Sequence, residues 1–538
     1  MRWDWQKMSL VQSLTENSGK IMLAGLSGVL LTLSFPGIGM AYLAWGALVF
    51  LLFALRDAGP RKSLLLGLLA GFVHYLSLIY WLVPTMRIYG YLPLLLCLLL
   101  LVLLALYLAL YPAVFSVLLS WSCRRPAAII IMAPVFWVCL EYLRAFLFSG
   151  FPWGLLGYTQ ADYLNLIQSA DIFGVYGVSA IIMLTNAALL LLALAITGKH
   201  WQGFRVQGWL AGAGCLAVLL ILGGILLYGS FRTDAMDRRL ATAETLDVAV
   251  IQGNIEQLHK WDRRFKESTI KKYFELSDQV GNPSPELVIW PETAAPFYFD
   301  YNTEMREWVL NGIADAGKHF LIGAPSVEFT HREPIQYNSA YLIGPDGRVQ
   351  GRYDKVHLVP FGEYVPFNQW LPFINTMVAQ VGNFRAGKQG DTIGWNDIKI
   401  GMLICYESIF PPLSVDMVKS GADFLVNITN DAWFGRTSAP YQHFSMAVFR
   451  AIENRRSLVR AANTGISGYI DPVGRVLETS PLFETAVLSR SIPLIKDYET
   501  FYVRHKDWLA ICCLIASGMI IVLQLIVKKR YWVFGNIK

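Results

Sequence analysis

Charge is scarce in this 538-residue chain: Asp, Glu, Lys and Arg make up 16% of it, against about 25% in a soluble globular protein. A wholly soluble protein is therefore not expected. Disorder is excluded as well, because it needs low hydrophobicity, and 55% of these residues are hydrophobic. Cysteine is also thin. Cys97, Cys139, Cys215, Cys512 and Cys513 fall in apolar runs and Cys123 at the edge of one, which leaves Cys405 alone within 231–504. That stretch cannot form an internal disulfide. No Cys-x-x-Cys pair and no His/Cys cluster is present, so nothing points to a metal or another cofactor. There is no internal repeat and no low-complexity linker. A basic domain face is missing too. Lys and Arg exceed Asp and Glu in 1–230 and 505–538, whereas 231–504 holds slightly more acid than base. The net charge of +6 thus comes from the apolar segments, and nucleic acid is not an expected partner.

The long apolar runs are what the chain has instead. A helix needs about 20 apolar residues to cross roughly 30 Å of hydrocarbon. Candidate spans lie near 21–35, 38–55, 63–83, 90–120, 127–147, 169–196, 208–229 and 508–527. The first breaks at Ser34-Phe35-Pro36-Gly37 and is expected to form a tight hairpin with the second. The fourth carries Pro112 and reads as one kinked helix. Short loops with Arg56, Arg61 and Lys62, with Arg124 and Arg125, with Lys199 and Arg205, and the tail with Lys528, Lys529 and Arg530 share one side if the N-terminus is cytoplasmic. The expected layout is a membrane domain at 1–230 with about seven helices, an extracytoplasmic domain at 231–504, and a last span with a cytoplasmic tail at 505–538. The N-terminus reads as an anchor, because no small-residue cleavage site follows the first span.

Residues 231–504 have a different grammar. Short β-branched runs occur at Leu246–Ile251, Leu287–Trp290, Phe320–Gly323, Ile398–Ile404 and Phe424–Ile428, each bounded by polar, Gly or Pro residues, as buried strands are. Amphipathic helical stretches intervene near 262–280, 302–317 and 440–454. Residues 338–351 predict a hairpin turning at Gly344-Pro345-Asp346-Gly347. Roughly 270 residues of such alternation suffice for one α/β core.

Chemistry in α/β folds gathers at strand ends, and three segments stand there. Trp290-Pro291-Glu292-Thr293 puts a carboxylate after a strand. Tyr353-Asp354-Lys355-Val356-His357-Leu358-Val359-Pro360-Phe361-Gly362-Glu363-Tyr364 is dense in ionisable groups. Leu403-Ile404-Cys405-Tyr406-Glu407 ends a strand on the lone thiol. Taken singly each has a bland reading: a buried cysteine, a solvated or capping glutamate, a surface lysine. Together, and in this order, they resemble the nitrilase (carbon-nitrogen hydrolase) superfamily, whose Glu-Lys-Cys triad appears in the same chain order. With eight spans around the domain, the resemblance extends over nearly the whole chain to the apolipoprotein N-acyltransferase family.

That resemblance implies an αββα sandwich beside a helical membrane bundle, with a triad of Glu292, Lys355 and Cys405. It implies a phospholipid acyl donor, a diacylglyceryl-modified lipoprotein acceptor and a bacterial inner membrane with the catalytic domain on the periplasmic side. The chemistry suits the residues. Cys405 supplies a sulfur nucleophile. Glu292 takes its proton as general base. Lys355 faces the developing oxyanion with a backbone N–H near Cys405. The expected course is ping-pong through a thioester. The rival reading is a membrane-tethered amidase, in which water resolves that thioester. A third, a binding or transport protein that has lost catalysis, is disfavoured by the intact triad.

Supporting expectations follow from the same motifs. Glu363 is expected to orient Lys355 or the acceptor, and Tyr406 and Glu407 to shape the oxyanion region or brace the loop. Trp261 resembles a family tryptophan near the mouth of the site, and Asn430–Gly435 a flanking loop. His357 reads as a structural histidine. Phe151 and Trp153, in the loop between the fifth and sixth spans, are expected at the lipid interface as a wall of the site. Glu141 and Arg144, three residues apart in the fifth span, read either as functional groups or as a mutual ion pair.

Overall fold

The computed structural model describes residues 3–260, 263–281, 284–329, 334–365 and 383–535. Trp261 lies outside them. The apolar runs are helices: α1 Trp3–Leu33, α2 Ala44–Leu55, α3 Pro60–Leu78, α4 Leu82–Ile88, α5 Leu94–Ser122, α6 Pro126–Phe146, α7 Ala170–Thr197 and α8 Gly208–Leu240. Prolines at the first positions of α3 and α6 start them with a preset φ and no wasted N–H. All eight expected segments, counting the one near 508–527, fall on apolar helices, and their lengths differ. Among the described residues, α5, α6, α7, α8 and Trp508–Lys528 are each long and apolar enough to cross a membrane. Helices α3 and α4 would make a sixth if their pair, bent by 51°, is one span. The apolar segments Asn17–Leu33 and Ala41–Leu55 are shorter. The chain turns between these two helices at Ser34–Met40, where Gly37 and Gly39 take positive φ. Pro112 lies inside α5, which is one helix. Helices α3 and α5 pack backbone to backbone. A Cβ on Gly67 would stand 2.5 Å from the Pro112 carbonyl oxygen, and one on Gly71 2.9 Å from Ala109 Cα. This is the small-residue packing that brings membrane helices close.

Helix α8 runs on past its apolar part into a domain of two six-stranded sheets. The first sheet has β1 Thr245–Gln252, β2 Leu287–Ile289, β3 His319–Phe329, β4 Pro334–Ile343 and β5 Val349–Asp354, flanked by β12 Ala486–Pro493 in the order β12-β1-β2-β3-β4-β5. The second has β6 Thr392–Trp395, β7 Ile398–Ile404, β8 Phe424–Thr429, β9 Leu458–Ala462, β10 Gly468–Ile470 and β11 Val476–Thr479 in the order β11-β10-β9-β8-β7-β6. Strands β1-β2-β3 and β7-β8-β9 are parallel, and their neighbours are antiparallel. The expected hairpin is β4–β5, with Ile343 paired to Val349 across the turn.

Period-two alternation assigns the layers. Val248, Val250, Leu287, Ile289 and Leu321 face the second sheet, packing in one core with Met402, Ile404, Val426 and Ile428. Their neighbours Ala249, Ile251, Val288, Phe320 and Ile322 face outward onto Ile270, Tyr273, Val309 and Ile313, which belong to helices α9 Lys266–Ser277 and α10 Thr303–Ala316. On the far side, α11 Pro411–Lys419 packs on β7 and α12 Ala439–Asn454 on β9. The result is the expected αββα sandwich.

Buried charge joins the sandwich to the bundle. Arg455 at the end of α12 meets Asp171 of α7 at 2.8 Å, and Arg232 of α8 reaches the same oxygen at 2.7 Å. Arg450 pairs with Glu453 at 2.8 Å and donates to Tyr158 Oη at 3.2 Å. Glu453 in turn accepts the Val175 backbone N–H at 3.1 Å.

Candidate active site

Cys405 follows β7 with φ at +55°, a left-handed conformation that a non-glycine residue holds only under constraint. The constraint is visible. The carbonyl oxygen of Cys405 accepts from Ser408 Oγ at 3.2 Å and lies 3.2 Å from His443 Nε2. His443 is fixed from behind by Asp431 Oδ1 at 3.1 Å, and Asp431 pairs with Arg460 at 2.8 Å. Strand β8 carries Asn427, which donates to the Leu403 carbonyl at 3.0 Å. The thiol stands at the end of a parallel strand on a turn that the next two strands hold rigid.

The first sheet supplies the charges. Glu292 comes just after β2 and Lys355 just after β5, both buried. Lys355 Nζ lies 2.9 Å from Glu363 Oε1 and 3.7 Å from Glu292 Oε1. Asn338 of β4 donates its amide to both carboxylates at 2.8 Å. Glu363 Oε2 accepts the Val359 N–H at 2.8 Å. Glu292 Oε2 is buried and has no hydrogen-bond partner among the described residues. One oxygen of Glu292 is thus held in place and the other is free. A close backbone approach makes this possible: a Cβ on Gly323 of β3 would lie 2.5 Å from the Pro291 carbonyl oxygen.

Electrostatics separates the groups. Burial pushes the Cys405 thiol up to about 12, with Glu292 adding to the effect and Lys355 opposing it. Burial also works against the charged form of Lys355, but Glu363 and Glu292 outweigh it and raise its pKa. Lys355 is therefore a permanent cation and Cys405 a protonated thiol at neutral pH.

Glu407 is fully buried and braces the loops. It accepts from Ile404 N at 2.7 Å, Val356 N at 2.6 Å, His357 N at 3.0 Å and Tyr353 Oη at 3.1 Å. The Cys405 turn is thereby tied to the Lys355 loop. Burial raises this carboxyl to about 7 against those donors. Tyr406 stacks edge-on against Phe410 at 5.2 Å, and the His357 ring lies 3.7 Å from Phe410. Burial and the Lys355 charge lower His357 to about 4, so it is neutral at pH 7, in line with a structural role.

The membrane domain closes the site from below. Trp153 is fully buried and donates to Gln442 Oε1 at 2.7 Å. Its ring lies 5.7 Å from those of His443 and Phe434, and Phe151 stacks on it at 6.4 Å. From α4, Thr85 donates to the Trp433 carbonyl at 2.7 Å; just beyond that helix, Tyr89 donates to the Ala432 carbonyl at 2.9 Å. The expected flanking loop is therefore clasped by the bundle. Glu141 and Arg144 do not pair with each other. Arg144 donates to the Trp153 and Gly154 carbonyls at 2.6 and 3.1 Å, and Glu141 accepts the Leu156 N–H at 2.7 Å. Each holds one part of the loop that presents Trp153.

Asn338 and Lys260 were not expected here. Lys260 is fully buried and donates to the Glu292 carbonyl oxygen at 2.8 Å. A lysine directly before the Trp261 motif was the only cue, and an asparagine in a hairpin strand gave none.

The chain is similar to known proteins over most of its length. Residues 27–188 match the family model of the apolipoprotein N-acyltransferase N-terminal domain, and residues 247–498 that of carbon-nitrogen hydrolases. An apolipoprotein N-acyltransferase of Geobacter metallireducens is 43% identical over 500 residues, covering 93% of this chain and 94% of the relative. The chain belongs to the apolipoprotein N-acyltransferase family. Its Brucella melitensis member is 32% identical over 535 residues, covering 95% of this chain and 96% of the relative. Among solved structures, an amidase of the nitrilase superfamily from Nesterenkonia AN1 aligns at 18% identity and TM-score 0.37, over 49% of this chain and 95% of the amidase. Family membership with several long apolar helices makes this a membrane protein carrying a nitrilase-like domain.

Proposed function

We propose that this chain moves an acyl chain from a membrane phospholipid, through a thioester on Cys405, to the N-terminal amine of a diacylglyceryl-cysteine lipoprotein. The carrying observation is the pairing of a buried protonated thiol with a buried carboxylate that has one oxygen free. With its pKa at about 12, the thiol cannot ionise before the donor arrives, so its proton must leave as sulfur attacks. Glu292 Oε2 receives it. The S–C bond forms, the ester C–O bond breaks, and Glu292 returns the proton to the leaving lysophospholipid hydroxyl. Lys355 balances the oxyanion between these events. Glu363 and Asn338 hold both charged groups in register. In the second half, the amine attacks in its neutral form, a C–N bond replaces the C–S bond, and sulfur regains its proton through Glu292.

The setting follows from the substrates. Withdrawing an acyl chain from a bilayer costs about 0.8 kcal/mol per CH₂, so a thiol sitting at the membrane face avoids extraction of either lipid. Phe151, backed by the buried Trp153, forms the wall over which the donor reaches Cys405. In this reading the chain has eight spans in a bacterial inner membrane, and its catalytic domain stands on the periplasmic side. Intact-mass measurement after incubation with phospholipid vesicles tests the mechanism: one fatty-acyl adduct is expected on Cys405 and none after Cys405→Ala. A diacylglyceryl-cysteine peptide should then discharge the adduct faster than water does. Equal discharge by water alone would favour the amidase reading.

A further inference from the structure

We propose that Lys260 is a second cation of the active site, a positioning residue that holds the Glu292 turn by its carbonyl and balances charge around Cys405. The inference rests on the acyl-transfer reading above and adds a residue to it. Lys260 ends the short helix Gln257–Lys260 in a loop that the second sheet pins. Asn254 N donates to the Asn463 carbonyl at 2.8 Å, Ile255 N to Asn463 Oδ1 at 2.9 Å, and Asn463 Nδ2 back to the Ile255 carbonyl at 2.8 Å. Gln257 Oε1 accepts from Asn430 Nδ2, and Asn430 is itself bonded to Asn463 at 3.1 Å. The ammonium is thereby delivered to the Glu292 carbonyl, which it meets at 2.8 Å.

As a brace alone, this is a poor choice of residue. Among the described residues Lys260 forms no ion pair, and its single hydrogen bond leaves two N–H groups unused. Burying a charge with so little compensation is costly, and a neutral amide would hold a carbonyl without that cost. Burial accordingly lowers Lys260 to about 8, while Glu292 and Cys405 pull it up; those two are the ionisable groups acting on it.

Charge counting gives the ammonium its purpose. The strongest charges acting on the thiol are Glu292, Lys355 and Asp431, with Lys260 a weaker one that the thiol acts on in turn, and Arg460 neutralises Asp431. Lys355 is shared between Glu292 and Glu363. With Lys355 alone, two carboxylates face one ammonium, and an oxyanion would form in an already negative site. Over Glu292, Glu363, Lys355 and Lys260 the ammonium of Lys260 brings that balance to zero, while Glu407, which also acts with Lys355, is met by four hydrogen-bond donors of its own. Proton transfer from Cys405 to Glu292 then only moves one negative charge from carboxylate to sulfur and on to the acyl oxygen.

The test uses the purified full-length chain in detergent, with Lys260→Met, Lys260→Arg and wild type compared. Alkylation of Cys405 by iodoacetamide across pH 7–10 reads the thiol without any acyl substrate. Lys260→Met should alkylate about tenfold more slowly near pH 7, with the gap to wild type closing above pH 8 as Lys260 itself loses its proton, and should form the acyl-enzyme at least tenfold more slowly at pH 7. Lys260→Arg should restore both to within about threefold. Thermal unfolding of Lys260→Met should occur at the wild-type temperature or above it, since an uncompensated buried charge is gone. An unshifted alkylation profile would overturn the proposal, as would a Lys260→Met chain that unfolds well below wild type and is not rescued by arginine. If wild type forms no acyl adduct, the acyl-transfer reading fails by itself, and the alkylation profiles still decide the role of Lys260.

Discussion

Two clusters of buried charge are finished differently. At the junction with the bundle, every polar atom of Arg455 is used: it donates to Asp171, to both oxygens of Gln168 and to the Pro472 carbonyl. Glu453 is likewise closed by Arg450 and Val175. Around Cys405 the same kinds of residue are left incomplete. Among the described residues Glu292 keeps an oxygen without a partner and Lys260 keeps unused donors, and the thiol is held protonated by burial. A charge that only joins two parts of a protein is best fully satisfied. A charge that must receive a proton has to keep a place for it.

That contrast can be broken in order of effect. Glu292→Gln removes the proposed base and should slow acyl-enzyme formation about 10²–10⁴-fold, measured by single-turnover mass spectrometry, with unfolding temperature unchanged or raised. A comparable loss of stability would place Glu292 with the junction charges. Arg450→Met does the opposite, leaving Glu453 buried with one N–H donor. It should destabilise the chain by about 3–5 kcal/mol, read from denaturation in detergent, and little change would mean that the junction tolerates unpaired charge. The smallest effect is in pH. Since the Cys405 thiol sits at about 12, its protonated form dominates below that value. Iodoacetamide labelling of the wild type should rise about tenfold per unit from pH 7 to 10. A plateau reached by pH 9 would mean the thiolate forms unaided.

The three segments of the proposed triad were legible because each follows a recognisable strand in a dense local motif. Strands β1, β2, β3, β7 and β8 were legible for the same reason: β-branched residues between breakers. Strands β9 to β12 were not, because Arg460, Gly468, Glu478 and Arg490 interrupt their apolar runs. Arg450, Arg455 and Arg460 are fully buried, which no local pattern announces, since Arg455 finds Asp171 far back in the chain. Glu141 and Arg144 show the same limit. Their spacing suggested each other, yet the loop that follows α6 offered both of them backbone partners. Asn338 is decided only by sheet pairing, which sets β4 beside β3 and turns its amide toward Glu292.

Helix α8 has a mechanical consequence. Its 33 residues form one unbroken rod of about 50 Å at 1.5 Å per residue, whereas a hydrocarbon layer takes up about 30 Å. The remainder, about four turns, is a fixed standoff. Arg475 grips its far end at Asp237, and Asp171 grips it lower down at Arg232. In the proposed membrane setting the thiol then has a set altitude above the lipid, gauged by a ruler that one added helical turn would lengthen by about 5 Å.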